Sequence, residues 1–131
     1  DGSAPQAGAL WIPEEWRSPD ILRIESLPGG LSCMVLRRLM QVMRPTVVVL
    51  IVHGQIPPPF KFSTLRYSGN DSVDKVFYSC SVSAVADILQ VHGMSLLRLS
   101  GPYALFVRQN DWKGVDLPLD ASECFRHVEA W

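Results

Sequence analysis

The feature that most constrains the fold is residues 46–52 (TVVVLIV), a nearly uninterrupted β-branched and apolar run that follows Pro45 directly. Such side chains favour strands because they pack well on a pleated surface. The run has no polar alternation, so we predict a central parallel strand covered by helices. It is also far shorter than the roughly 20 residues that span a bilayer, so we expect no membrane partner.

The segments before this strand predict a β-turn-α-β unit. Residues 20–25 (DILRIE) form a short apolar strand that ends in Glu25, and residues 26–30 (SLPGG) have the composition of a turn. Residues 32–44 carry apolar side chains at helical spacing, and Pro45 ends that helix.

The second half of the chain predicts a helix, a hairpin and a last helix. A helix over residues 84–91 is predicted to follow an N-cap region at residues 81–83 (SVS) and to close at His92 and Gly93. The other predicted elements are strands at 94–99 and 103–108, joined by a short antiparallel connection, and a capped helix from Asp120 to Trp131.

Length and composition favour one globular domain. The chain has 131 residues, of which 47% are hydrophobic, and a formal net charge of −1. Lysine and arginine do not outnumber the acidic residues, so the chain has no excess positive charge to neutralise phosphates. We therefore expect no nucleic-acid partner. Residues 1–19 are predicted to be an arm or linker, with Trp11 or Trp16 packed on a domain formed by residues 20–131. Because the chain begins with Asp1 and not Met, we expect a piece of a longer protein.

The cysteines and histidines predict no metal site. Three cysteines are too few and too scattered for a disulfide framework, and they lack the paired spacing of a zinc site. The small number and wide spacing of the cysteines mildly favour a reducing compartment, and we therefore expect a cytoplasmic location. The three histidines share no ligand spacing with nearby acids.

The order of these motifs resembles the FkbM type of class I S-adenosylmethionine-dependent methyltransferases. In that pattern a strand that ends in an acidic residue precedes a helix with a Val-Leu pair, and a very apolar strand follows. The corresponding segments here are residues 20–25, 33–37 and 44–49, respectively. Residues 56–60 (IPPPF) and 77–81 (FYSCS) resemble a subgroup. The resemblance covers residues 20–108, and the order of its motifs carries more weight than any one of them.

The resemblance implies an α/β fold, a partial Rossmann-like methyltransferase sheet with helices packed on it. Its β-α-β-α order would end in an antiparallel hairpin whose last strand inserts into an otherwise parallel sheet. The family's glycine-rich cofactor loop is missing, since Gly29 and Gly30 follow the wrong strand. We therefore expect the C-terminal, acceptor-side portion of a methyltransferase, incomplete or inactive on its own. S-adenosylmethionine is its implied cofactor, with no binding residue assigned.

Two residues are candidates for catalysis because each follows a strand of the predicted parallel pair. Open α/β sheets bind ligands at the carboxyl ends of their strands. Glu25 could act as a general base or hold a cofactor amine, and His53 could help to remove a proton from the acceptor. The alternatives are a solvated turn acid at Glu25 and an ordinary loop residue at His53.

Three further residues are candidates for contact with the acceptor, a small molecule or a protein. Phe60 follows three prolines that predict an extended, polyproline-like path, either as a rigid strut or as part of a pocket wall. Tyr78 and Cys80 would lie on the rim of the cleft. Cys80 precedes a helix N-terminus, which lowers a thiol pKa, but a buried cysteine beside the capping Ser81 is the simpler interpretation.

A second class of function remains open. An incomplete sheet leaves a strand edge and an apolar flank unpaired, and such edges favour association. The chain could therefore be a degenerate, non-catalytic half-domain that forms a homodimer or docks on another protein. A small thiol enzyme built around Cys80 is a third alternative.

Overall fold

The computed structural model describes residues 11–25, 33–54, 56–63, 80–113 and 120–129. Four strands and three α-helices lie in these ranges, together with 3-10 turns at Glu14–Trp16 and Gln109–Asp111. In chain order they are β1 (Ile21–Ile24), α1 (Cys33–Val42), β2 (Val47–Ile51), α2 (Val82–Val91), β3 (Met94–Ser100), β4 (Tyr103–Arg108) and α3 (Ala121–Glu129). This order confirms the predicted succession of helices and strands.

The strands form one open sheet in the order β1-β2-β4-β3. β1 and β2 pair in parallel, with Ile24 opposite Leu50. β4 pairs antiparallel with both β2 and β3, so β3 runs in the same direction as β1 and β2. The predicted hairpin of residues 94–99 and 103–108 is therefore present, and its second strand is inserted between β2 and β3. The chain is a mixed α/β protein.

The core lies between one face of the sheet and the helices. Val48 and Leu50 of β2 and Phe106 of β4 are fully buried there, as are Leu36 of α1 and Leu89 of α2. Helix α1 packs on α2, and α2 and α3 pack on β3.

The second face of β2 departs from the sequence prediction. β2 is central in the sheet, but Val47, Val49 and Ile51 on this face are only half-buried. An apolar sequence on both faces of a strand predicts that both faces are shielded from water. It does not predict how completely other elements cover each face.

Local signals set the helix ends as predicted. The Ser81 side chain accepts a hydrogen bond from the Ala84 main-chain nitrogen, which caps α2. Gly93 follows α2 with a φ of 75°, a left-handed conformation that favours glycine. At the start of α3, the Asp120 carboxylate accepts from the main-chain nitrogen of Ser122 at 2.9 Å.

The described part of the predicted arm is hydrogen-bonded through its main chain to the residues that precede β2. The Arg44 nitrogen donates to the Arg17 carbonyl at 2.6 Å, and the Thr46 nitrogen donates to the Pro19 carbonyl at 3.2 Å. Both Trp11 and Trp16 are exposed, so the expectation that one of them packs on the domain is wrong. Residues 1–10 lie outside the described residues.

A disulfide joins Cys33, the first residue of α1, to Cys80, just before α2. The two Cα atoms are 5.9 Å apart and the residues are 47 positions apart in sequence. The spacing of the three cysteines along the sequence did not predict this disulfide.

Across the described segments, no helix has both the length and the apolar character needed to cross a membrane.

Candidate functional site

The two candidate catalytic residues lie at the carboxyl ends of adjacent parallel strands. Glu25 directly follows β1, and His53 comes two residues after β2. Because Ile24 is opposite Leu50 in the β1–β2 register, both candidates lie at the same edge of the sheet. Open α/β sheets bind their ligands at this edge.

Glu25 is exposed to solvent at that edge. Its Oε1 lies 2.6 Å from Nη2 of Arg23, and both side chains are more than half exposed. An exposed ion pair of this kind contributes little to stability because water screens it. The described surroundings give the carboxylate a cationic partner but no burial, which fits the alternative of a solvated turn acid.

His53, in contrast, is buried, with only 4% of its surface exposed. Its main-chain nitrogen donates to the Cys80 carbonyl at 2.7 Å, and its carbonyl accepts from the Ile56 nitrogen at 3.3 Å. The imidazole meets the Phe62 ring edge-on, with ring centroids 6.0 Å apart. His53 is therefore a buried residue whose main chain is hydrogen-bonded through both its nitrogen and its carbonyl.

A small cavity of about 20 Å³ adjoins His53, enough for about one water molecule. Its wall consists of residues from the ends of β2 and β3, the start of α2, the β3–β4 turn and α3: Val52, His53, Gly54, Val82, Leu99, Gly101 and Phe125. This space at the sheet edge is far smaller than the roughly 300 Å³ or more of a ligand pocket.

Ser81 joins the segment after the proline run to α2. Its hydroxyl donates to the Phe60 carbonyl at 2.9 Å and accepts from the Phe62 main-chain nitrogen at 2.9 Å, in addition to the cap on Ala84. The Ser81 nitrogen donates to the Phe62 carbonyl at 2.9 Å. The Phe60 nitrogen also donates back to the Pro57 carbonyl, so the chain turns here and the expected extended path is wrong.

A larger groove of about 360 Å³ lies between α1, α2 and residues 61–63. Residues from both helices and from this segment form its wall: Cys33, Met34, Arg37, Lys61, Phe62, Ser63, Ala84, Asp87 and Ile88. Nζ of Lys61 lies 2.5 Å from Oδ2 of Asp87, so these two charges offset each other. Sequence patterns did not predict this groove, because it forms only when the two helices pack on each other.

The structure brings some of the predicted site residues together and separates others. The main-chain nitrogen of His53 donates a hydrogen bond to the Cys80 carbonyl. The Phe60 carbonyl lies nearby, because it accepts a hydrogen bond from the Ser81 hydroxyl, but the Phe60 ring is 67% exposed. Cys80 is fully buried and held in the disulfide, so it presents no free thiol to an acceptor. Tyr78 lies outside the described residues.

The remaining thiol belongs to Cys124 on α3, and it is half-buried. Burial raises the pKa of the Cys124 thiol above its ordinary value, and the carboxylates of Glu123 and Asp120 raise this pKa further. The thiol is therefore protonated at neutral pH, which makes it a poor nucleophile.

No three His, Cys, Asp or Glu side chains of the described segments are grouped in a way that could hold a metal ion.

Comparisons with models of protein families, with curated proteins and with solved structures find no match to this chain. The function must therefore be inferred from its own residues and geometry.

Proposed function

We propose that this chain is the C-terminal, acceptor-side portion of an FkbM-like, S-adenosylmethionine-dependent methyltransferase domain, incomplete or inactive on its own. The observation that carries this proposal is the strand order β1-β2-β4-β3, with β4 antiparallel between strands that run parallel to β1. An antiparallel last strand inserted into a parallel sheet is what the resemblance implies. We therefore also propose that the four strands are part of a Rossmann-like methyltransferase sheet.

At the carboxyl edge of β1 and β2, the described residues leave too little room for S-adenosylmethionine. The cavity at the carboxyl edge holds about 20 Å³, far less than a nucleoside requires. The sequence also lacks a glycine-rich turn that would let the backbone approach a cofactor. Within the proposal, the cofactor is held by a part of the domain that lies before β1 in sequence.

The acceptor side of the cleft is assigned to the carboxyl edge of β1 and β2. His53 is the better candidate for moving a proton of the acceptor, because it lines the small cavity at this edge and its ring meets Phe62 edge-on. Glu25 lies at the same edge in solvent, where its carboxylate could interact with a charged group. Phe60 and Tyr78 remain proposed for the rim, whereas Cys80 could contribute only through its main chain.

The coding sequence upstream of Asp1 tests this proposal directly. Amplifying and sequencing the 5′ end of the transcript should reveal a strand followed by a glycine-rich turn, within about the 100–150 residues of one domain. A start codon immediately before Asp1 would contradict the methyltransferase proposal.

One observation favours a second candidate, a non-catalytic half-domain that acts through association. β1 lies at the end of the described sheet, and Ile21 on this strand is 64% exposed. Two copies could pair their β1 strands antiparallel about a twofold axis, which would bring the exposed Ile21 of each copy into the interface.

Sedimentation equilibrium of the chain over a concentration series tests this second candidate. We expect a monomer–dimer equilibrium that Ile21→Lys shifts toward monomer and that Val91→Lys does not affect. Val91 is a matched control, because it is also exposed but lies at the end of α2. A monomer at every concentration, or an equal effect of both variants, would contradict association through β1.

A further inference from the structure

We propose that the Cys33–Cys80 disulfide is a thiol–disulfide exchange site, reached through the groove between α1 and α2 by a low-molecular-weight thiol that carries carboxylates. This inference is independent of the proposed function, because it concerns the helix-covered side of the sheet. Its basis is the connectivity, burial and charge around the two sulfur atoms.

The two cysteines differ in their access to the groove. Cys33 forms part of the groove wall and keeps 5% of its surface exposed, whereas Cys80 is fully buried. An incoming thiolate can therefore approach Cys33 from the groove. Cys33 is also the first residue of a ten-residue helix, where the dipole favours negative charge on sulfur in the reaction.

The charges of the groove select an anionic thiol. Arg37 lies one helical turn after Cys33, on the same face of α1, and its guanidinium has no ion-pair partner among the described residues. Lys61 faces the same groove, but Asp87 offsets its charge. The net positive charge of Arg37 attracts a carboxylate, and about 360 Å³ is within the range of small-molecule pockets.

Ser63 assists the departure of Cys80. Oγ of Ser63 lies 3.7 Å from Sγ of Cys80. Because a disulfide sulfur carries no hydrogen, the serine hydroxyl is the donor in this contact. The hydrogen bond strengthens as negative charge develops on Cys80, and a stabilised leaving thiolate accelerates exchange.

Complete reduction of the Cys33–Cys80 disulfide requires two molecules of the small thiol. The first attacks Sγ of Cys33 as its thiolate, the S–S bond breaks, and its electron pair leaves on Cys80, which takes up a proton. The second thiol attacks the sulfur of the bound first thiol, which releases Cys33 and forms a small-molecule disulfide. Overall, the protein disulfide gains two electrons and two protons, and two thiols are oxidised to one disulfide.

Reduced glutathione is the probe, and the full chain carries Cys124→Ser so that the third cysteine cannot capture an intermediate. Samples are quenched in acid, alkylated and mapped by mass spectrometry. We expect glutathione on Cys33 and the alkyl label on Cys80. Denaturing the chain with urea before adding glutathione removes this selectivity, because both sulfurs are then open to attack.

Matched variants separate the charge effect from the leaving-group effect. Arg37→Gln should slow exchange with glutathione about tenfold and leave exchange with uncharged 2-mercaptoethanol unchanged. Arg38→Gln is the control, because Arg38 carries the same charge on α1 but is not part of the groove wall. Ser63→Ala should slow both thiols about threefold to tenfold, and Ser63→Thr, which keeps the hydroxyl, should restore both rates.

Three results would overturn the proposal. The first is attachment of glutathione to Cys80 in the folded chain, and the second is an equal loss of rate in Arg37→Gln and Arg38→Gln. The third is the absence of exchange until urea unfolds the chain, since the groove would then give no access to the disulfide.

Discussion

Replacing Ser81 by alanine should destabilise the chain strongly, because one buried hydroxyl makes three hydrogen bonds. Loss of the N-cap bond to Ala84 costs about 1 kcal/mol. The other two bonds, to Phe60 and Phe62, are 2.9 Å long, and each contributes about 1 kcal/mol. We therefore expect Ser81→Ala to lower the free energy of unfolding by about 3 kcal/mol.

Urea unfolding followed by circular dichroism and tryptophan fluorescence measures this change, with the disulfide kept intact. Ser83→Ala is the matched control, since Ser83 is also buried in the first turn of α2 but is not the capping residue. The control should change stability by less than about 0.5 kcal/mol. A loss below about 1 kcal/mol for Ser81→Ala would refute the view that Ser81 holds the segment at 60–62 against α2.

Three further predictions concern other contacts of the core. Replacing both Cys33 and Cys80 by serine should cost up to about 4 kcal/mol in the same assay, because the disulfide closes a long loop, and an unchanged stability would contradict this. Arg108→Ala should cost about 2–3 kcal/mol, since this guanidinium donates three hydrogen bonds to two main-chain carbonyls, and Arg108→Lys should recover only part of the loss. Alkylation of Cys124 should have its midpoint at higher pH in the folded chain than in urea, because its pKa is raised, and stability should fall as pH rises from the ordinary thiol pKa through the raised value. Equal midpoints in the two states would contradict that reasoning.

The strands and helix ends could be predicted because their signals are local. The β-branched run of β2, Pro45 after α1 and Gly93 after α2 each act within a few residues of the chain. The antiparallel hairpin followed from the short connection between its strands. These features depend on backbone preferences, which a single sequence carries directly.

The contacts between residues far apart in sequence, including those at the candidate site, were not predictable in this way. The Cys33–Cys80 pair spans 47 residues, and the Arg108 guanidinium bonds to the carbonyls of Pro45 and His92, which lie 63 and 16 residues away. No periodicity marks such pairs, since packing of α1 and α2 on the sheet brings them together. The contacts of buried His53 likewise include Phe62 and Cys80, which lie 9 and 27 residues later in the sequence.

The most direct test of the methyltransferase proposal is calorimetric titration with S-adenosylmethionine. The titration compares residues 1–131 with the same chain extended by its upstream coding sequence. We predict binding to the extended chain and no binding heat for residues 1–131 alone. Binding to the 131-residue chain would contradict its proposed incompleteness, and no binding to the extended chain would contradict the methyltransferase proposal itself.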